Sequence, residues 1–238
     1  MRIFLAGATG VIGRPLVKLL VQAGHQVTGT TRNPEKVTDL RALGAEPVVV
    51  DVFDAANLRD LAVAAKPDAV IHQLTDLPFA PGTPQYEEAL ARNARLRIEG
   101  TRNLAAAARA AGVTRLIAQS IAFVYAPGEG ARVESDPLAT DAPGMLGRTV
   151  AAVQALEGAV LAMPEGIVLR YAFLYGPGTW SPDGVGRRPP VHVDAAAHAA
   201  LLALTRGKRG VYNITEDDPG LSSEKAKREL GFDAAFRL

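Results

Sequence analysis

The chain has 238 residues, 48% of them hydrophobic and 21% charged, with a formal net charge of +1. That size fits one large domain, or one domain with a small appendage, and near-neutrality gives no field to draw nucleic acid or an anionic membrane. With no cysteine, no apolar run near the ~20 residues that span a bilayer, and an opening MRIFLAGATG unlike a secretion signal, a cytoplasmic protein without disulfides or thiol chemistry is expected.

In chain order, short β-branched runs alternate with longer Ala/Leu/Arg segments, the pattern of βαβ units around a parallel sheet. The first strand, RIFLA (2–6), runs into GATGVIG (7–13) and then a helix. Set there, the glycines have separate uses: Gly7 for a tight turn, Gly10 for close backbone approach to a pyrophosphate, Gly13 for packing helix on strand. Thr9, Val11 and Ile12 complete a turn whose N–H groups and helix dipole face the phosphates of a dinucleotide. A second strand, QVTGT (26–30), ends in Thr31-Arg32 with no carboxylate until Glu35. A carboxylate there would hold the ribose 2′-OH of NAD, whereas a guanidinium can grip a 2′-phosphate, so Arg32 points to NADP(H) over NAD(H). Asn33-Pro34-Glu35 then reads as a helix start.

The third strand, EPVVVD (46–51), brings Asp51 and Val52 beside the adenine, with strand-end capping an equal reading for Asp51; Asp54 begins the next helix. AVIHQ (69–73) follows, with His72 as a buried, satisfied histidine and Gln73 and Leu74 facing the crevice at the carboxyl ends of the strands. A many-turn helix is predicted from Pro84 to Gly112, then strands at RLIAQS (115–120), IVLRY (167–171) and VYNI (211–214). Two long irregular stretches, 126–148 and 176–190, are functional candidates, the second holding the only Trp. His25, His72, His192 and His198 show no ligand spacing, so no metal is expected.

Several motifs together resemble the extended short-chain dehydrogenase/reductase superfamily, its NAD-dependent epimerase/dehydratase group. GATGVIG resembles that group's TGxxGxxG fingerprint, and EGTRNLAAAARAAGVTRLIAQS (99–120) its fourth helix and fifth strand. SIAFVY, RYAFLYGPG, PVHVDAAAHAALLAL and the SSEKAKRELGF end are similar to the rest, so the resemblance runs nearly end to end. It implies a Rossmann-type doubly wound α/β sheet with a small C-terminal substrate-side subdomain: a cofactor domain over 1–165 and a portion over 166–238 interleaved with it. It also implies that the turn at Tyr171 and Tyr175 meets the nicotinamide, and that the helices at 84–111 and 149–163 pair in a homodimer.

The catalytic residues do not carry over. A helix glutamate similar to Glu157 puts Thr149 and Val153 where the group has its Tyr and Lys, Ile121 at its serine, and Arg97 at its helix-four Asn, with Asn93 a turn upstream. Tyr125 and Ser120 are the candidates left for proton transfer. Asp76 and Tyr86 flank the loop after the fourth strand, within reach of the pocket or on the surface, while His192 and Asp194 read as helix-capping residues. The stretch between YGPG and HVD is short for a nucleotide-sugar lobe, so a small carbonyl or hydroxyl substrate is expected. The alternative is a non-catalytic NADP(H)-binding redox sensor.

Overall fold

The computed structural model of the protein describes residues 1–78 and 82–238. Its first half runs β1 (Arg2–Ala6), α1 (Gly13–Gln22), β2 (Gln26–Thr31), α2 (Val37–Ala42), β3 (Glu46–Val49), α3 (Ala55–Ala65), β4 (Ala69–His72), α4 (Pro84–Arg95) and α5 (Thr101–Ala110). Then come β5 (Arg115–Ile121), α6 (Gly144–Leu161), β6 (Glu165–Tyr171), β7 (Phe173–Tyr175), β8 (Pro190–His192), α7 (Val193–Leu202), β9 (Gly210–Ile214) and α8 (Glu224–Leu230). Seven strands pair in the order β3-β2-β1-β4-β5-β6-β9, each pair parallel. This is the doubly wound sheet expected, with the order reversing between β1 and β4, where such sheets bind ligands.

Strand alternation explains why both faces read as apolar. Ile3 and Leu5 enter one core with Leu16 and Leu20 of α1, while Phe4 and Ala6 enter the other with Leu58 of α3 and Leu104 of α5. Burying one such Phe or Leu side chain is worth about 1.5–3 kcal/mol. Strands β6 and β9 extend the same sheet, and α4, α5 and α6 pack on one another within the chain. Among the described residues no helix is long and apolar enough to cross a membrane.

Local signals set several boundaries. Asn33 Oδ1 accepts from Glu35 N–H at 2.9 Å, and Asp54 Oδ1 from Asn57 N–H at 3.1 Å. Asn33, however, opens a 3₁₀ turn, Pro34–Lys36, ahead of α2. The predicted helix over 84–112 is not uniform either: a π-helical turn, Leu96–Gly100, separates α4 from α5. The irregular stretch after β5 ends sooner than expected, because α6 already starts at Gly144. The three-residue strands β7 and β8 pair parallel outside the main sheet, a feature too short for the sequence pattern to mark.

Candidate functional site

The glycine turn lies against the carboxyl end of β4. Gly7 has φ +87°, and a Cβ there would sit 2.6 Å from the carbonyl carbon and oxygen of Gln73, so only glycine fits both the torsion and the space. Gly10 donates its N–H to Gly7 O at 3.0 Å. A Cβ on Gly13 would run into Gly7 O and the Ala8 backbone, so Gly13 lets the start of α1 close on the turn itself. No side chain caps α1 and its first turn holds no acidic residue, which leaves the positive helix end open to an anion. Beside it the buried Gln73 gives Nε2–H to Tyr171 Oη at 3.3 Å, while its Oε1 has no partner among the described residues. A bare cradle and an orphaned amide oxygen suit a dinucleotide's diphosphate and carboxamide end.

At the adenosine end, Arg32 reaches from β2 to Asp76 after β4, Nη2 to Oδ1 at 3.0 Å, with its side chain 67% exposed. Arg92 of α4 takes the other oxygen of Asp76 at 3.1 Å, so the one carboxylate facing Arg32 is shared with a second guanidinium. Asp51 is exposed and its Oδ1 accepts from Phe53 N–H at 2.9 Å, which is strand-end capping. Val52 is buried in the core under α5, and Asn103 Nδ2 holds its carbonyl at 3.0 Å.

After β4, Leu74 N–H donates to His72 Nδ1 at 3.1 Å, and Leu74 O accepts from Gln119 Nε2 at 2.8 Å. His72 therefore carries its proton on Nε2, 2.9 Å from Thr101 Oγ1. Burial, and then the Arg97 charge, pull its pKa down to about 4, so it is neutral and structural. Burial likewise raises the phenol of Tyr171, against its hydrogen bond from Gln73.

At the far end of β5 the hydroxyls of Ser120 and Tyr125 join one buried network. Ser120 Oγ donates to Glu157 at 2.8 Å, and Arg170 grips Glu157 through Nε and Nη2 at 2.8 and 2.7 Å. Arg170 Nη1 also donates to Tyr125 Oη at 2.7 Å, and Tyr125 donates to Asn213 Oδ1 at 2.7 Å. Burial opposes the Arg170 charge, but the Glu157 bonds outweigh it and hold the guanidinium above its ordinary value. Burial raises Tyr125 in spite of Arg170. Val153 is fully buried with Val124 and Val150 in a dry cluster, and Thr149 stands half-buried one turn before it. Near β8, His192 Nδ1 caps α7 by accepting from Asp194 N–H at 3.2 Å, and Tyr175 Oη donates to Glu216 at 2.6 Å.

A sequence profile described as NAD(P)H-binding matches residues 7–157, from the first glycine of the turn to the buried glutamate of α6. The chain belongs to this NAD(P)H-binding family. It is 40% identical, over 94% of its own length and 79% of the relative's, to a 3-diazoavenalumate denitrifying reductase from a Streptomyces species. It is 29% identical to the 2-alkyl-3-oxoalkanoate reductase of Stenotrophomonas maltophilia, across 100% of this chain and 81% of that one. Its fold is similar to that of WbmG of Bordetella bronchiseptica, solved with NAD, at a TM-score of 0.75 and 21% identity over 100% of this chain and 90% of that one. The resemblance to short-chain dehydrogenases of the epimerase/dehydratase type holds, and the chain is one that takes a nicotinamide cofactor.

Other residues of α4 and the turn after it lie near the loop that follows β4. Tyr86, Asn93 and Arg97 are seven and then four residues apart, the spacing of one helical face. Asn93 Oδ1 accepts Asp76 N–H at 3.0 Å and so ties α4 to the loop after β4, while its Nδ2 has no partner among the described residues. Arg97 sits in the π-helical turn. Burial lowers its pKa to about 10 against the pull of Tyr86 and Glu157, so it stays charged at neutral pH. Trp180, from the 176–190 stretch, meets the edge of Tyr86 at 6.0 Å, and Phe123 after β5 stacks on Phe173 at 4.5 Å. The spacing of Tyr86, Asn93 and Arg97 was visible in the sequence, but nothing there marked the pairing of their loops.

Proposed function

We propose that the protein is an NADPH-dependent reductase whose substrate takes up hydride without needing a proton from a protein acid, and that this substrate reacts as an aryl diazonium cation. The carrying observation is the open glycine cradle beside a relay position filled by Val153 and its valine neighbours. When bound, the reduced nicotinamide supplies a hydride. A carbonyl that gains hydride becomes an alkoxide and calls for an acid at once. A diazonium group that gains hydride at its terminal nitrogen becomes a neutral diazene, which loses dinitrogen and leaves a C–H bond. The Streptomyces relative is named for a denitrifying reduction of a diazo compound, and that chemistry asks nothing of Thr149 or Val153. In this reading Ser120 and Tyr125 give no proton; with Glu157 and Arg170 they form a rigid floor that keeps water from the reacting end. Gly7, Thr9, Gly10, Val11, Ile12 and Gly13 hold the diphosphate, Gln73 and Leu74 border the nicotinamide ribose, and Arg32 leaves Asp76 for the 2′-phosphate.

Calorimetric titration with NADPH and NADH tests the cofactor, and NADPH carrying deuterium at the transferred position, mixed with an aryl diazonium salt against a protein-free control, tests the reaction. NADPH binds more tightly than NADH, Arg32→Ala weakens NADPH alone by about tenfold or more, and the label appears in the arene as nitrogen is released. Equal weakening of both dinucleotides would discard the role of Arg32. Tight NADPH binding without oxidation by diazonium or carbonyl compounds would replace the enzyme with the redox-responsive binding protein.

A further inference from the structure

Two buried arginines make opposite use of their charge. Arg170 is gripped by Glu157 through two bonds. Arg97 is 8% exposed, and its guanidinium makes no hydrogen bond or ion pair with any described residue. The nearest carboxylate influence on it comes from Glu157, which is already committed to Arg170 and Ser120. A mostly buried guanidinium with no carboxylate bonded to it is costly to keep, and what little of Arg97 stays accessible leaves its charge open to an anion from outside the fold.

Three further observations point to such an anion. One turn upstream on the same face, Asn93 is 1% exposed and its Nδ2 is a second donor with no acceptor. The turn carrying Arg97 is π-helical, a distortion that recurs at functional sites. On the same face lies Tyr86, which borders, with Gly82, Thr83 and Glu87, a shallow, open surface cleft. Trp180 closes on the Tyr86 edge. The stripe offers donors at one end and aromatic rings at the other, and no carboxylate of its own is bonded to Arg97 among the described residues.

We infer that Arg97, with Asn93 beside it, is the anchor for the carboxylate of a small aromatic substrate whose body lies along Tyr86 and Trp180. The guanidinium fork matches a carboxylate with two parallel bonds, and the bound anion supplies the counter-charge the fold omits. The inference rests on the reductase reading, since it names the substrate class of that site. A substrate fixed by its own anionic end is oriented without help from a tyrosine hydroxyl.

The test is calorimetric titration of the full-length protein, with and without saturating NADP⁺, using cinnamate and its neutral counterpart cinnamamide. The single tryptophan, Trp180, gives an independent fluorescence reading. Wild type binds cinnamate and shifts the Trp180 emission, and cinnamamide binds about tenfold more weakly or less. Arg97→Met loses cinnamate by a similar factor, keeps its NADP⁺ affinity, and unfolds at the same or a higher temperature, because an uncompensated buried charge is gone. A residue serving only the fold would lower that temperature. Should Arg97→Met fail to fold, Arg97→Lys, which keeps the charge and loses the fork, weakens cinnamate by a smaller factor. Absence of cinnamate binding in the wild type, equal binding by the variant, or equal affinity for the amide overturns the inference. Failure of NADP⁺ to bind, with cinnamate still held and still lost in Arg97→Met, overturns the reductase reading and leaves the anion site standing.

Discussion

Glu157→Gln isolates the charge at the centre of the buried network. Three donors converge on this carboxylate, Ser120 Oγ, Arg170 Nε and Arg170 Nη2, at 2.8, 2.8 and 2.7 Å. The amide keeps an acceptor oxygen for the first two but turns a donor toward the third, and Arg170, buried to nearly the same degree as its partner, is left charged without a counter-ion. Hydrogen bonds to charged groups are worth about 1.5–3 kcal/mol each, and breaking a buried pair from one side costs about 3–5 kcal/mol. For a domain of this length each kcal/mol moves the melting temperature by about 2–4 °C, so a fall of roughly 6–20 °C is expected. Urea unfolding followed by circular dichroism gives the free energy directly. Arg170→Met in the same chain removes the stranded charge, so the double variant is more stable than Glu157→Gln alone. A loss below about 1 kcal/mol for Glu157→Gln, or a double variant that adds the two single losses, would show that the pair is solvated and the floor is not rigid.

Gly7→Ala puts a methyl group 2.6 Å from two backbone atoms of Gln73 at φ +87°; the torsion alone costs about 1–2 kcal/mol. Both stability and NADPH affinity therefore fall, and unchanged calorimetric affinity would contradict the cradle. His72 gives a pH signature. The unfolded chain protonates it below about 6.5, but the folded protein refuses that proton until about 4. Its share of stability is full above pH 6.5 and is lost as the pH falls toward 4, up to about 3 kcal/mol. Subtracting the unfolding free energies of a His72→Gln variant across that range isolates this share, and a flat difference would place the imidazole in water.

The parts of this molecule written into the chain are those set by neighbours in sequence. The seven strands of the main sheet follow from short β-branched runs, and the caps at Asn33, Asp54 and His192 from one side chain and the amides two or three residues on. The glycine turn was readable because torsion and close approach demand glycine at fixed spacing. Contacts that fold brings together from afar were not. Arg32 meets Asp76 across 44 residues, Tyr125 meets Asn213 across 88, and neither partner carries a local mark. The π-helical turn was equally hidden: LRIE offers no Pro or Gly before Gly100, and a widened turn costs too little to need one. The missing counter-ion of Arg97 is likewise a property of three dimensions.

The valine cluster around Val153 also fixes the direction in which this chain can change. The Tyr and Lys that the family resemblance implies would fall at 149 and 153. A lysine placed alone at 153 would press an ammonium among the methyl groups of Val124 and Val150, at a cost of several kcal/mol from a total stability of about 5–15. Packing therefore opposes an ammonium at 153, while the half-buried Thr149 leaves the position one turn before it more tolerant of change.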